Sequence, residues 1–230
     1  MLRFMFDDSE HTVPEYFREA NDAVLHYLDK LAAREEGQER PDMRLLRREV
    51  LASGFLRSLD ELEQSVYASR MFCQKVHNRY AADMSQQETD HYHRHLYFYK
   101  NALIRLFSIL DKLGSFLDEY LGIGTDRIKP KFSYYTVLYN LRQMGNPPAF
   151  THKLEVLKEQ FKEPMLRLRH ERNLEIHAVN GELEDDLKRI AGRARGEKIS
   201  LEDISAKQKD IEEGFEMATR SLSVVFTSLR

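Results

Sequence analysis

An all-α fold is what this sequence predicts, on three observations. Gly 10 and Pro 6 among 230 residues leave few turn formers, while 42% apolar and 32% charged residues suit amphipathic helices. Apolar side chains recur at three- and four-residue steps along most of the chain. Helix start and stop signals punctuate those periodic stretches. A chain of this length buries a sizeable core, in one large domain or two small ones.

The elements follow in order. Thr12 and Pro14 open a first helix, because proline's missing N–H costs nothing in the first turn. It runs to about Arg34, with Phe17, Val24, Leu28 and Leu31 on one face, and residues 35–41 form a loop. A long helix from Met43 to about Asp83 places Leu45, Leu51, Leu59, Leu62, Val66 and Phe72 inward. Ser85-Gln-Gln-Glu88 has the spacing of a capping box, in which serine and glutamate satisfy each other's free N–H groups. The helix it opens reaches Leu121, with Leu96, Tyr99, Leu103, Leu106, Phe107, Leu110, Leu113 and Leu117 inside, and Gly122 and Gly124 end it. A short helix over about Tyr134–Met144 precedes the break at Gly145-Asn-Pro-Pro148, and another spans about Thr151–Lys162. Pro164 starts or kinks the next helix, which should end near Asn180-Gly181. Residues 182–192 form a short charged helix, and Ser200 caps a last one ending near Leu229.

Charge and cysteine usage exclude several classes. Net charge is −3 and the isoelectric point about 6.3, so a polyanion site would have to be local. Cys73 is the only cysteine, which rules out an internal disulfide and a cysteine-based zinc site, and makes a reducing cytoplasm the expected location. The first residues turn acidic too soon for a secretory signal, and no apolar run approaches the roughly 18 residues of a membrane span.

The stretch Arg172-Asn-Leu-Glu-Ile-His177 carries the chemistry of most interest. An arginine can stabilise phosphoryl charge, a histidine can move a proton near neutral pH, and the asparagine between them can orient either. Arg70 and His77 repeat the pattern, but Arg70 is followed by Met71 and Phe72 rather than a polar residue. Arg167, Arg169 and His170 make the approach to Arg172 locally basic, and Leu174 and Ile176 are expected to hold the segment on the core. The plainer alternative pairs Arg172 with Glu175 and leaves His177 as a helix-end histidine favoured by the dipole.

Other groups read more plainly. His91 and His95 share a helical face, but two histidines lack the further ligands of a metal site, and an exposed polar face is expected. Tyr97, Phe98, Tyr99 and Phe107 offer base stacking or, more ordinarily, core packing. Lys129-Pro-Lys131 could touch phosphate but suits a solvated loop. Asp111 lies in an apolar segment and needs a partner, such as Arg172.

Arg172, polar Asn173 and His177, late in a helical chain, resemble the mark of the HEPN superfamily: arginine, a polar residue, then histidine after four to six intervening residues. The helix from Tyr97 to Gly114, with Asp111 in it, is similar to the motif-facing helix of a bacterial HEPN subfamily. The resemblance implies an antiparallel helical bundle over residues 85–230, with residues 1–84 as additional N-terminal helices packed on it. It implies a metal-independent endoribonuclease with Arg172, Asn173 and His177 as catalytic residues and Asp111 and Arg169 in support, using no metal or other cofactor. RNA or a nucleotide is the implied ligand, a homodimer the implied form, and an antitoxin or other protein a possible partner in a toxin–antitoxin or defence role. A non-catalytic HEPN module binding nucleotide, RNA or protein is the alternative. Where some HEPN toxins carry a tyrosine modified by nucleotide transfer, two residues after the histidine, this chain has Val179.

Overall fold

The computed structural model describes residues 12–35, 42–125, 132–177 and 200–229. Their secondary structure is α-helical, apart from one short 3-10 turn at Ala81–Asp83 and an isolated bridge between Tyr80 and Ser200. We number the helices α1 (Glu15–Glu35), α2 (Met43–Cys73), α3 (Gln86–Leu121), α4 (Tyr134–Gln143), α5 (Phe150–Gln160), α6 (Lys162–His177) and α7 (Ile204–Ser228). The all-α expectation holds.

Several ends lie where sequence chemistry puts them. The Pro14 carbonyl accepts the N–H groups of Phe17 and Arg18 and so starts α1. At the end of α3, Gly122 takes φ +64°, Ile123 donates to the Asp118 carbonyl and Gly122 to that of Glu119, the paired bonds of a Schellman cap. Ser133 caps α4 in a reciprocal box with Thr136.

Three expectations change. The helix expected over residues 43–83 stops at Cys73: Lys75 and Val76 turn back to the carbonyls of Phe72 and Cys73, and His77 and Asn78 give their N–H groups to a side chain. The Glu88 carboxylate accepts the N–H groups of His77 and Asn78 at 2.6 and 2.7 Å and the Asn78 side-chain amide at 2.6 Å. These bonds from Asn78 and His77 hold the Glu88 carboxyl below the usual carboxylate range. Only half of the expected capping box therefore forms: Ser85 Oγ accepts the Glu88 N–H at 3.1 Å, but Glu88 is used elsewhere. The cap of the last helix is Asp203, which accepts the Ala206 N–H at 2.9 Å; Ser200 is engaged in the bridge to Tyr80.

The described residues form two compact units that interleave along the chain. One comprises 62–104, 163–177 and 200–214; the other comprises 12–61, 105–162 and 215–229, less the undescribed stretches. The expected division at residue 84/85 falls inside the first unit.

The second unit is built on an aromatic cluster. Tyr27, Phe55, Phe116 and Phe226 are almost fully buried, with ring centroids 5.2–6.2 Å apart and mostly edge-to-face. Burial pushes the Tyr27 hydroxyl up to about 12. Leu51, expected inside, is exposed, and Ala52 and Phe55 take the inner face of α2. Gly114 lets α3 approach α4: a Cβ there would lie 3.0 Å from the Tyr134 Cα. Asp111, one turn earlier, accepts the Tyr134 N–H at 3.1 Å, so its carboxylate satisfies a free donor at the start of α4.

Candidate functional site

The first unit holds the Arg172 motif, and α6 enters it apolar and leaves it polar. Pro164, Met165 and Leu168 are buried, whereas Leu166, Leu174 and Ile176 are exposed at 53%, 44% and 51%. Leu174 and Ile176 therefore do not hold the segment on the core, as the sequence suggested. Two glutamates a helical turn apart do that work. Glu171 accepts the Tyr99 hydroxyl at 2.7 Å and an ion pair from Lys207 at 3.1 Å; Lys207 also pairs with Glu202. Glu175 pairs with Lys100 at 3.2 Å. On the preceding turn, Arg167 makes a two-bond fork to Asp210 at 2.7 and 2.8 Å.

These ties perturb the groups that make them. Burial, with Glu171 beside it, raises the Tyr99 phenol far above the ordinary range, so it stays a hydrogen-bond donor. Burial alone would lower the Lys207 ammonium, but Glu202 and Glu171 outweigh it and hold it above the usual lysine value.

Register then places the motif. Successive residues on a helix are about 100° apart, and Glu171 and Glu175 mark the anchored side. Arg172 sits about 80° round from the middle of that side, Asn173 about 180° and His177 about 220°. Arg169 shares the Asn173 side, four residues earlier. Asn173 and the His177 position thus fall away from the anchored side, whereas Arg172, four residues after Leu168 and seven after Met165, shares the buried face of the helix. Asn173 and Arg169 are exposed and Arg172 is half-buried; His177 closes α6, and its side chain lies outside the described residues.

The Asp111 carboxylate accepts the Tyr134 N–H. Arg70 is in α2 and His77 in the loop after it, and Arg70 lines an open cavity of about 250 Å³ with Cys73, Gln208 and Glu212. Lys129-Pro-Lys131 lies outside the described residues. No helix among the described residues is long and apolar enough to cross a membrane, and none of their His, Cys, Asp and Glu side chains form a group of three that could hold a metal.

The expected exposed face of His91 and His95 does not occur. His95 is fully buried, while His91 is half-buried against the Phe72 ring. His95 Nδ1 lies 3.0 Å from the Ser69 carbonyl, which can only accept, so Nδ1 carries the proton and Nε2 is a bare acceptor. No hydrogen-bond partner reaches Nε2. Burial, with the charge of Lys207, holds the imidazole below its usual pKa. Ser69 Oγ donates to Gln208 Oε1 at 2.8 Å, which extends this polar chain to α7. Sequence reasoning missed the Glu171–Tyr99–Lys207 tie because its members are 72 and 36 residues apart. The one available signal was a tyrosine on the inner face of α3, which needs a polar partner.

A family model described as HEPN_Cthe2314-like HEPN matches residues 52–230. With this match over most of its length, and with helices as the elements of its described residues, the chain is a HEPN protein and belongs to the Cthe2314-like HEPN family. No curated protein matches it, and no solved structure does.

Proposed function

We propose that the protein is an endoribonuclease whose cleavage needs no metal ion. Membership of the HEPN family is the observation that carries this reading. The register of α6, which turns Asn173 and the His177 position away from the Glu171 and Glu175 ties, supports it. In the proposed reaction the 2′-hydroxyl of RNA attacks the adjacent phosphorus, and His177 accepts the hydroxyl proton. The 5′-oxygen leaves and takes up a proton, giving 2′,3′-cyclic phosphate and 5′-hydroxyl ends. Arg172 stabilises the charge that builds on the non-bridging oxygens, and Asn173 orients the phosphate. Arg169 adds positive charge on the same side.

One arginine and one histidine are few groups for this reaction, and the two are about 140° apart round the helix. A twofold homodimer brings two copies to one cleft, so that one histidine serves as base and the other as acid. Asp111 has no part in the reaction under this reading; it serves α4.

The test is cleavage of single-stranded RNA by purified protein in excess EDTA. Wild type should cleave and leave cyclic phosphate ends, and Arg172→Ala and His177→Ala should not. RNA binding without cleavage in all three would favour a non-catalytic HEPN module.

A further inference from the structure

Of the four aromatics in the α3 stretch, Tyr99 and Phe107 are buried, but Tyr97 is 64% exposed and Phe98 half-exposed. Phe98 stacks parallel to Phe72 of α2, with centroids 5.8 Å apart and planes at 5°. Tyr97 meets Phe98 edge-on at 5.1 Å and 82°. Basic side chains surround this group. The Arg94 guanidinium lies 5.6 Å and the Lys75 ammonium 5.7 Å from the Phe72 centroid, and the His91 ring is 6.0 Å from it. Arg94 and Lys75 are exposed. Asp90, the acid one turn before Arg94, accepts the Gln86 side-chain amide at 3.2 Å.

The geometry points to this surface as a docking site for single-stranded RNA, with bases stacking on Tyr97 and Phe98 and phosphates meeting Arg94 and Lys75. Two properties together select that occupant. An exposed ring braced by a second ring is a rigid π-face, on which unpaired bases stack whatever their sequence. Exposed cations beside it complement a phosphate backbone, whereas an apolar protein face would have to desolvate them. A base already paired in a duplex has no free face to offer. The site lies outside the Arg172 motif, on α3, the end of α2 and the turn that follows it, and it also answers how a chain of net charge −3 holds a polyanion: locally. The inference rests on the reading of RNA as substrate.

The experiment uses the full chain with His177→Ala as background, so that RNA stays intact. Binding of a fluorescein-labelled single-stranded RNA of about ten nucleotides is followed by anisotropy over a salt series. Tyr97→Ala should weaken binding between about fivefold and a hundredfold, and Tyr97→Phe should retain it. Arg94→Gln should reduce the slope of log affinity against log salt by about 0.7. Circular dichroism melts show that each variant is folded, and Tyr97→Phe keeps the ring as a control. Unchanged affinity in folded Tyr97→Ala, or equal binding of a duplex of the same sequence, would overturn the proposal. Cleavage by wild type that is indifferent to Tyr97→Ala sinks this surface and leaves the nuclease reading standing. Binding that depends on Tyr97 with no cleavage by wild type does the reverse.

Discussion

Replacing Tyr99 with phenylalanine removes one oxygen from a buried ring and isolates one tie of the motif helix. Tyr99 is 3% exposed, so the ring's packing is retained, and its hydroxyl donates to Glu171 at 2.7 Å. A hydrogen bond to a charged group contributes about 1.5–3 kcal/mol when well sheltered. The Glu171 side chain is a quarter exposed and keeps Lys207, so water and the remaining partner recover part of that. The expected loss is about 1–2 kcal/mol, or roughly 2–8 °C in Tm for a domain of this size. Thermal melts by circular dichroism measure the global effect. Hydrogen exchange measures the local one, which should appear as faster exchange over residues 169–176, with little change in α4 or α5. The buried apolar part of α6 ends at Leu168, so beyond it polar ties must supply the order. An unchanged Tm together with unchanged exchange in that segment would refute this account of how the motif is held.

Three further predictions follow from the same geometry. Asp111→Ala should cost about 1 kcal/mol by orphaning the Tyr134 N–H, yet leave RNA cleavage per folded molecule unchanged; a large loss of turnover in folded protein would restore Asp111 to the site. Gly114→Ala should destabilise by about 1–3 kcal/mol in urea titration, because the new methyl would meet the backbone of Tyr134, and stability equal to wild type would contradict the close approach. His95 has a folded pKa below its unfolded value of 6.5, so the unfolded chain binds the proton first; its contribution is present above that pH and is lost as pH falls toward the folded pKa. The Tm should therefore drop between about pH 7.5 and about pH 5.5, and the drop should shrink in His95→Leu. Glu88, whose carboxyl is held low by Asn78 and His77, titrates below this window.

Local signals account for what was legible in the sequence. The periodic apolar positions of α3 from Tyr99 to Leu117 are all buried, since a long amphipathic helix declares its inner face by spacing alone. Gly122 and Ser133 punctuate helices through bonds made within a few residues. Long-range competition is not written locally, and there the reading failed. Ser85 and Glu88 look like a reciprocal box, but the stronger offer to Glu88 comes from two N–H groups ten and eleven residues earlier. His95 looks like one of a polar trio, yet small Ser69 on α2 gives it a buried carbonyl. Leu174 and Ile176 look like core anchors because they are apolar, whereas the anchors are Glu171 and Glu175, whose partners lie on other helices. The motif residues themselves were legible as residue types, and their placing relative to the anchored side was not.

Cleavage of RNA in excess EDTA by wild type, Arg172→Ala and His177→Ala, compared at equal folded concentration, tests the central claim most directly. The expected result is cleavage by wild type with 2′,3′-cyclic phosphate ends, a loss of about a hundredfold to a thousandfold for Arg172→Ala, and a loss of at least about a hundredfold for His177→Ala. Cleavage that requires added Mg²⁺, or that survives both substitutions in folded protein, would contradict it.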